Sequence, residues 1–284
     1  MTPVAIRALL EHIVDYAGTF PPASLPLSEA LANYARERLG AEAWLLGRLV
    51  VSAGTLDELE TVLPNTLAGE YQLSVILGAD APAQLARVRA FDERRAEHVR
   101  VASVEFSPTP PADISGLMRH VDSTLEAFFE ASLDSDLQTR LDAIAAAGAA
   151  AKVRTGGTTA SAVPSSAMLA DFLYACAQRG LSFKATAGLH HAVRSCYPLT
   201  YDRDSPTAVM HGFLNVTAAA ALARTGAGRV EIGDALMEPS AKRLIAAVPR
   251  QDLAGSRHFF RSFGSCSFRE PADELACLDL VQRD

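Results

Sequence analysis

The chain has 284 residues, 49% of them hydrophobic and 21% charged, the proportions of a globular protein with a large core. A formal net charge of −7, with no dense basic cluster, argues against a nucleic-acid partner. No apolar run approaches the ~20 residues of a membrane span, and residues 1–12 lack a basic start followed by an apolar core, so neither a membrane partner nor a secretory signal is expected.

The elements alternate. Residues 13–17 read as a first strand, followed by a Pro- and Gly-rich loop to Pro26. Ser28 can cap a helix through Leu31 and Tyr34 that ends at Gly40. Residues 45–52 make a second strand, and Thr55 with Glu58 makes a capping box for the next helix. Residues 73–77 are a third strand, followed by a helix through Leu85 and Val88. Residues 99–106 are a fourth, ending near Glu105, and a short helix with Leu117 and Val121 follows. Residues 125–131 are a fifth, ending near Glu130, and an Ala-rich helix then runs to Gly148. The sixth strand carries Lys152, and its helix runs from Pro164-Ser165-Ser166 to Gly180. The seventh carries Lys184. A loop at about 188–210 follows, longer than such connections usually are. Helices are expected from His211 to Ala223 and from Ala235 to Ala247. Residues 259–263 are the eighth strand, with Arg229-Val230-Glu231-Ile232 as a competitor, and Pro271 starts the last helix.

Eight β/α units in one chain predict an α/β fold of the closed (β/α)8 TIM-barrel type, a single domain over residues 1–284. An open doubly wound sheet is the alternative, but no GxGxxG turn follows the first strand, and no cofactor is expected.

The chemistry gathers in two similar strings, AKVRTGG from Ala151 and FKATAGLHH from Phe183. Alternate side chains of a strand share a face, so Lys152 pairs with Arg154 and Lys184 with Thr186. Among 26 Lys and Arg residues only Lys152, Lys184 and Lys242 are lysine. A position kept as Lys in an Arg-rich chain is one where an amine able to lose its proton is useful; a structural Lys paired with a buried Glu is the plainer reading. In a barrel the strand ends form the active site, which nominates Asp15, Ser52, Glu105, Glu130, Lys152, Arg154, Lys184, Thr186, His190 and His191. Two adjacent histidines cannot both point inward from a regular strand. Gly156 and Gly157, beside Arg154, let backbone N–H groups approach a carboxylate or phosphate; a flexible turn explains them equally. Ser265 and Ser267 flank Cys266 after the last strand, where barrels often bind phosphate. Cys266 is a nucleophile candidate, though small residues packing the barrel mouth explain it as well. The four cysteines, Cys176, Cys196, Cys266 and Cys277, show no CxxC spacing and read as free thiols in a reducing cytoplasm.

The strings DYAGTFPPASL, AKVRTGG, FKATAGLHH, HGFLN and FGSCSFREP resemble those of a bacterial family of uncharacterised proteins, from about Asp15 to Leu275. That resemblance implies a conventional cytoplasmic enzyme fold. Lys184-Ala185-Thr186-Ala187-Gly188 also resembles the strand bearing the Schiff-base lysine of deoxyribose-phosphate aldolases, and Arg154-Thr155-Gly156-Gly157 their Gly-Gly phosphate turn. The order of the two strings is reversed here, which leaves an analogy of parts.

Three functions fit. The first is an aldolase-type lyase acting on a small anionic carbonyl compound. Lys184 attacks as the free amine, its pKa lowered by Lys152 and Arg154. Glu105 or Glu130 moves protons, and Arg154, Gly156, Gly157, Thr186, His190, His191, Ser265 and Ser267 hold the substrate. The second is a metal-dependent lyase, isomerase or hydrolase with Glu105, Glu130 and one of His190 and His191 as ligands. The third is a non-catalytic barrel binding an anionic metabolite. A homo-oligomer is compatible with all three.

Overall fold

A computed structural model describes residues 3–63, 71–95, 99–278 and 280. Helix α1 (Pro3–Leu10) leads into β1 (Val14–Tyr16); α2 (Leu27–Glu37), β2 (Leu46–Ser52), α3 (Leu56–Val62), β3 (Tyr71–Ile76) and α4 (Ala81–Arg95) follow. Next come β4 (Val99–Phe106), α5 (Pro111–Met118), β5 (Glu126–Glu130), α6 (Leu137–Ala146), β6 (Ala150–Arg154), α7 (Ser166–Gln178) and β7 (Phe183–Thr186). The connection after β7 holds a hairpin, β8 (Ser195–Pro198) and β9 (Thr207–Met210). Helices α8 (Phe213–Arg224), α9 (Arg229–Met237), α10 (Ala241–Ala247) and α11 (Leu253–Phe259) precede β10 (Phe260–Ser265), and α12 (Arg269–Cys277) follows it.

Among the described residues, eight parallel strands close into a ring in the order β1, β2, β3, β4, β5, β6, β7, β10, with β10 hydrogen-bonded back to β1. This is the (β/α)8 barrel that the alternating pattern predicts. Arg229 to Ile232 form the first turn of α9, so the eighth barrel strand is β10. Among the described residues no helix is long and apolar enough to cross a membrane.

Each strand splits its residues between two environments. One phase points to the helices. Phe183 there stacks on Phe260 at 4.8 Å and meets Phe172 and Phe259 edge-on. Burying each such ring contributes ~1.5–3 kcal/mol. The other phase fills the inside of the ring, where branched aliphatic residues usually dominate. Here it carries Asp15, Ser74, Ser103, Glu105, Lys152, Lys184 and Ser262, all buried. Register explains their proximity: Glu130 is level with Lys152, Lys152 with Lys184, and Lys184 with Ser262.

Helix ends follow local chemistry, not always at the residue expected. Ser165 caps α7, its hydroxyl accepting from the Met168 amide at 3.2 Å, and Gly148 and Gly180 take positive φ just past α6 and α7. Ser28 is not a cap, because α2 begins earlier, after Pro26. The Thr55–Glu58 box does not form. Residues 53–55 make a single 3-10 turn, and the Thr55 hydroxyl donates to the Ser52 carbonyl at 2.9 Å. The helix expected over residues 235–247 is two helices, α9 and α10, parted at residues 238–240.

Candidate active site

A cavity of about 700 Å³ opens at the carboxyl ends of the strands. Its walls include Glu105, Glu130, Lys152, Arg154, Lys184 and Thr186 from strand ends, Gly157, His190 and His191 from loops, and Tyr201 from the hairpin turn. Gly156, Ser265 and Ser267 are not among its lining residues.

Beneath the cavity, acids and bases alternate in a ladder. The Lys184 Nζ donates to Asp15 Oδ2 at 2.7 Å and to Glu105 Oε1 at 2.6 Å, with its side chain 1% exposed. The other Glu105 oxygen lies 3.4 Å from the Lys152 Nζ, which lies 3.1 Å from Glu130 Oε2. Glu130 Oε1 in turn meets the Arg154 Nε at 3.5 Å, and Arg154 is 53% exposed at the mouth. Three acids thus alternate with three bases from the barrel centre to solvent. Hydroxyls saturate the buried end: Ser262 donates to Asp15 Oδ2 at 2.6 Å, Ser74 to Glu105 Oε1 at 2.7 Å, and Ser103 to Ser74 at 2.8 Å. The Arg48 amide holds the second Asp15 oxygen at 2.9 Å.

This arrangement overturns one expectation about Lys184. Burial by itself would lower its pKa, but Asp15 and Glu105 outweigh burial and hold it above the ordinary lysine value. The cation is therefore locked on, and like-charge depression by Lys152 and Arg154 does not govern it. Glu105 is the mirror case. Burial would raise its carboxyl, yet Lys184 and Lys152 pull it down to about 2. Glu105 is a fixed anion, and Glu130 sits between Lys152 and Arg154 toward the mouth.

The Gly-Gly turn has a packing cause. A Cβ on Gly156 would lie 2.8 Å from the Gly188 Cα, and Gly188 itself has φ of +81°. Two loop backbones cross there in direct contact, and the Thr155 amide bonds the Thr186 carbonyl at 2.9 Å. Gly156 serves this crossing, while Gly157 faces the cavity. Ser265 is likewise local: its hydroxyl donates to the Ser267 carbonyl at 2.6 Å, and the Ser267 hydroxyl accepts from the Glu270 amide at 3.2 Å.

His190 and His191 both line the cavity. Ala187 and Gly188, with φ of +60° and +81°, take the chain out of strand geometry first, so the alternation rule no longer separates them. Each then bonds through Nδ1 to a carboxylate of α12: His190 to Glu270 Oε2 at 3.0 Å, His191 to Glu274 Oε1 at 2.6 Å. The Ala192 amide holds the other Glu274 oxygen, and Tyr197 stacks on His191 at 3.5 Å. These pairings correct the metal reading. Both histidines are engaged away from Glu105 and Glu130, and among the described residues no three His, Cys, Asp or Glu side chains stand together as a metal site. Cys266 is buried, and its thiol is pushed up by burial, which disfavours the thiolate a nucleophile needs.

Asp15 was readable as a polar strand-end residue, but its role as the second clamp on Lys184 was not. Ser74, Ser103 and Ser262 are hydroxyls on the inward phase of β3, β4 and β10. Glu270 and Glu274 stand four apart on one helix face; that spacing was the available signal.

No protein-family model matches the chain, and no curated protein sequence matches it. Among solved structures, it is similar to a nitroalkane oxidase from Streptomyces ansochromogenes at 15% identity, with 97% of this chain and 99% of that chain covered and a TM-score of 0.39. It is also similar to a pyruvate carboxylase from Rhizobium etli, crystallised as a T882A variant without acetyl coenzyme-A, at 14% identity, with 95% of this chain and 30% of that chain covered and a TM-score of 0.27.

Proposed function

We propose that the protein is a lyase of the Schiff-base aldolase type acting on a small anionic carbonyl compound, and that Lys152 is the attacking amine. One observation carries the reading: two lysines on neighbouring strands share a single buried carboxylate, Glu105, at the base of an open cavity. Their environments differ in kind. Lys184 is clamped by two acids at 2.7 and 2.6 Å, whereas the two acids around Lys152 stand off at 3.4 and 3.1 Å. Lys184 keeps its proton and serves as a fixed cation. Lys152 stands level with Lys184 on the neighbouring strand and has Glu130 beside it to take a proton.

In this mechanism Lys152 passes a proton to Glu130 and attacks the carbonyl carbon as the free amine. The resulting carbinolamine loses water, with Glu130 returning the proton to the departing oxygen, and a protonated imine remains on Lys152. Glu105 stays ionised and balances that cation throughout. Arg154, half-exposed at the mouth, takes the anionic end of the substrate.

Borohydride reduction in the presence of pyruvate, acetaldehyde, dihydroxyacetone phosphate or glyceraldehyde phosphate tests the reading. The intact mass is expected to rise by one reduced ligand, and Lys152→Met to abolish the gain. A parent protein that gains no mass with any of these carbonyls contradicts the lyase. Retention of full ligand binding by Lys152→Arg then favours a barrel that only binds an anion.

A further inference from the structure

The Lys152 site accounts for imine formation, but a lyase must also remove the proton that lets the carbon–carbon bond break. Glu105 is held at about 2 by two lysines and cannot accept that proton near neutrality. Glu130 is occupied with Lys152. On the β7–β10 side of the same cavity stands His190, and its surroundings fix its chemistry.

The Nδ1 of His190 is 3.0 Å from Glu270 Oε2, and the Tyr201 hydroxyl donates to that same oxygen at 3.1 Å. The Tyr201 phenol is pushed well above its usual range, chiefly by burial, so it remains a donor. Glu270 lies below the usual carboxylate range: burial would raise it, and the His190 ring leads the interactions that outweigh burial. A carboxylate at Nδ1 makes that nitrogen the proton-bearing one and leaves the lone pair on Nε2. Ser265 approaches the same Nδ1 at 3.4 Å, and Nε2 has no hydrogen-bond partner among the described residues. His190, Glu270 and Tyr201 all line the cavity.

We infer that His190 is the general base of carbon–carbon cleavage, with Glu270 and Tyr201 as its positioning residues, and that the substrate is a β-hydroxy carbonyl compound; this rests on the Schiff-base reading above. Nε2 takes the proton of the β-hydroxyl. The oxygen's electron pair forms a carbonyl, the carbon–carbon bond breaks, and its electrons move into the protonated imine on Lys152 to give an enamine. The aldehyde fragment leaves, and the imidazolium returns the proton to the enamine carbon. Water then hydrolyses the imine and frees Lys152. Two separate walls thus handle two separate protons: Glu130 on β5 serves the amine, and His190 after β7 serves the hydroxyl.

The test compares trapping with cleavage. The probes are the carbonyl compounds above for borohydride trapping, and the aldol adducts of pyruvate and of dihydroxyacetone phosphate with glyoxylate or short aldehydes for cleavage. His190→Asn, whose amide can still meet Glu270, is expected to keep the parental trapping yield while cleavage falls about 100-fold or more. Glu270→Gln is expected to lower cleavage at least tenfold and to move the His190 proton to Nε2, read from the ring-nitrogen shifts of isotope-labelled histidine. Cleavage at the parental rate by His190→Asn, with trapping intact, overturns this assignment alone. Loss of trapping together with cleavage in His190→Asn overturns it too, because the residue then only binds or supports. A proton on Nε2 in the parent likewise overturns it. A parent that traps none of the carbonyls and cleaves none of the adducts defeats the lyase reading and this assignment together.

Discussion

Lys152 and Lys184 are the same residue type in neighbouring strands at the same level of the barrel. What separates them is the distance to carboxylates, a few tenths of an ångström in each contact. In a low-dielectric interior that difference is large, because an ion pair strengthens as its members approach and as water leaves. Lys184, its side chain 1% exposed, is held at short range by both acids. Replacing it with Met leaves Asp15 and Glu105 buried with no cation between them. Lys184→Met is therefore expected to lose ~3–5 kcal/mol in urea unfolding. A loss under about 1 kcal/mol, typical of a surface change, would mean that Lys184 is not the clamp described. That the two lysines share the inner face of neighbouring strands was legible in the sequence, from the similar strings that carry them. The difference in their surroundings was not. It depends on Asp15, which lies 169 residues away from Lys184 in the chain.

At the scale of elements, the loops after β6 and β7 behave as one unit. Their backbones touch at Gly156 and Gly188. A methyl group on Gly156 would sit 2.8 Å from a backbone carbon that no side-chain rotation can relieve. Gly156→Ala is expected to destabilise by ~1–3 kcal/mol, measured by thermal or chemical unfolding, and an unchanged midpoint would show that the crossing is loose. The barrel strands were legible because each carries an apolar phase against the helices, and the period survives even where the inner phase is polar. Less was legible where period fails. Residues 188–210 read as a plain loop, although β8 and β9 pair within them, because their side chains are mostly exposed and carry no alternation. Helices α1 and α11 went unread, the one preceding the first strand and the other running directly into the last. The pairing of His190 and His191 with Glu270 and Glu274 spans about eighty residues and exists only once the ring has closed.

For the molecule as a whole, the ladder ties stability to pH from both ends. Glu105 titrates at about 2 when folded, below its ordinary 4.5, so its contribution is complete above about 4.5 and is lost as pH falls toward 2. Lys184 titrates above its ordinary 10.5, so its contribution is complete below about 10.5 and is lost as pH rises further. Unfolding free energy measured across pH is expected to be flat with respect to these two groups through neutrality, with an acid limb below 4.5 that Glu105→Gln flattens. An acid limb unchanged in Glu105→Gln would place the linkage elsewhere.

The chain contains only three lysines, so the side-chain nitrogen spectrum of lysine-labelled protein resolves the central claim residue by residue. On addition of the carbonyl compound that borohydride traps, the Lys152 Nζ signal is expected to move to the imine region, while the Lys184 Nζ signal stays at its ammonium position with slow hydrogen exchange. An imine signal from Lys184, or a Lys184 ammonium that exchanges as freely as that of Lys242, contradicts the assignment of Lys152 as the reactive amine beside a locked Lys184.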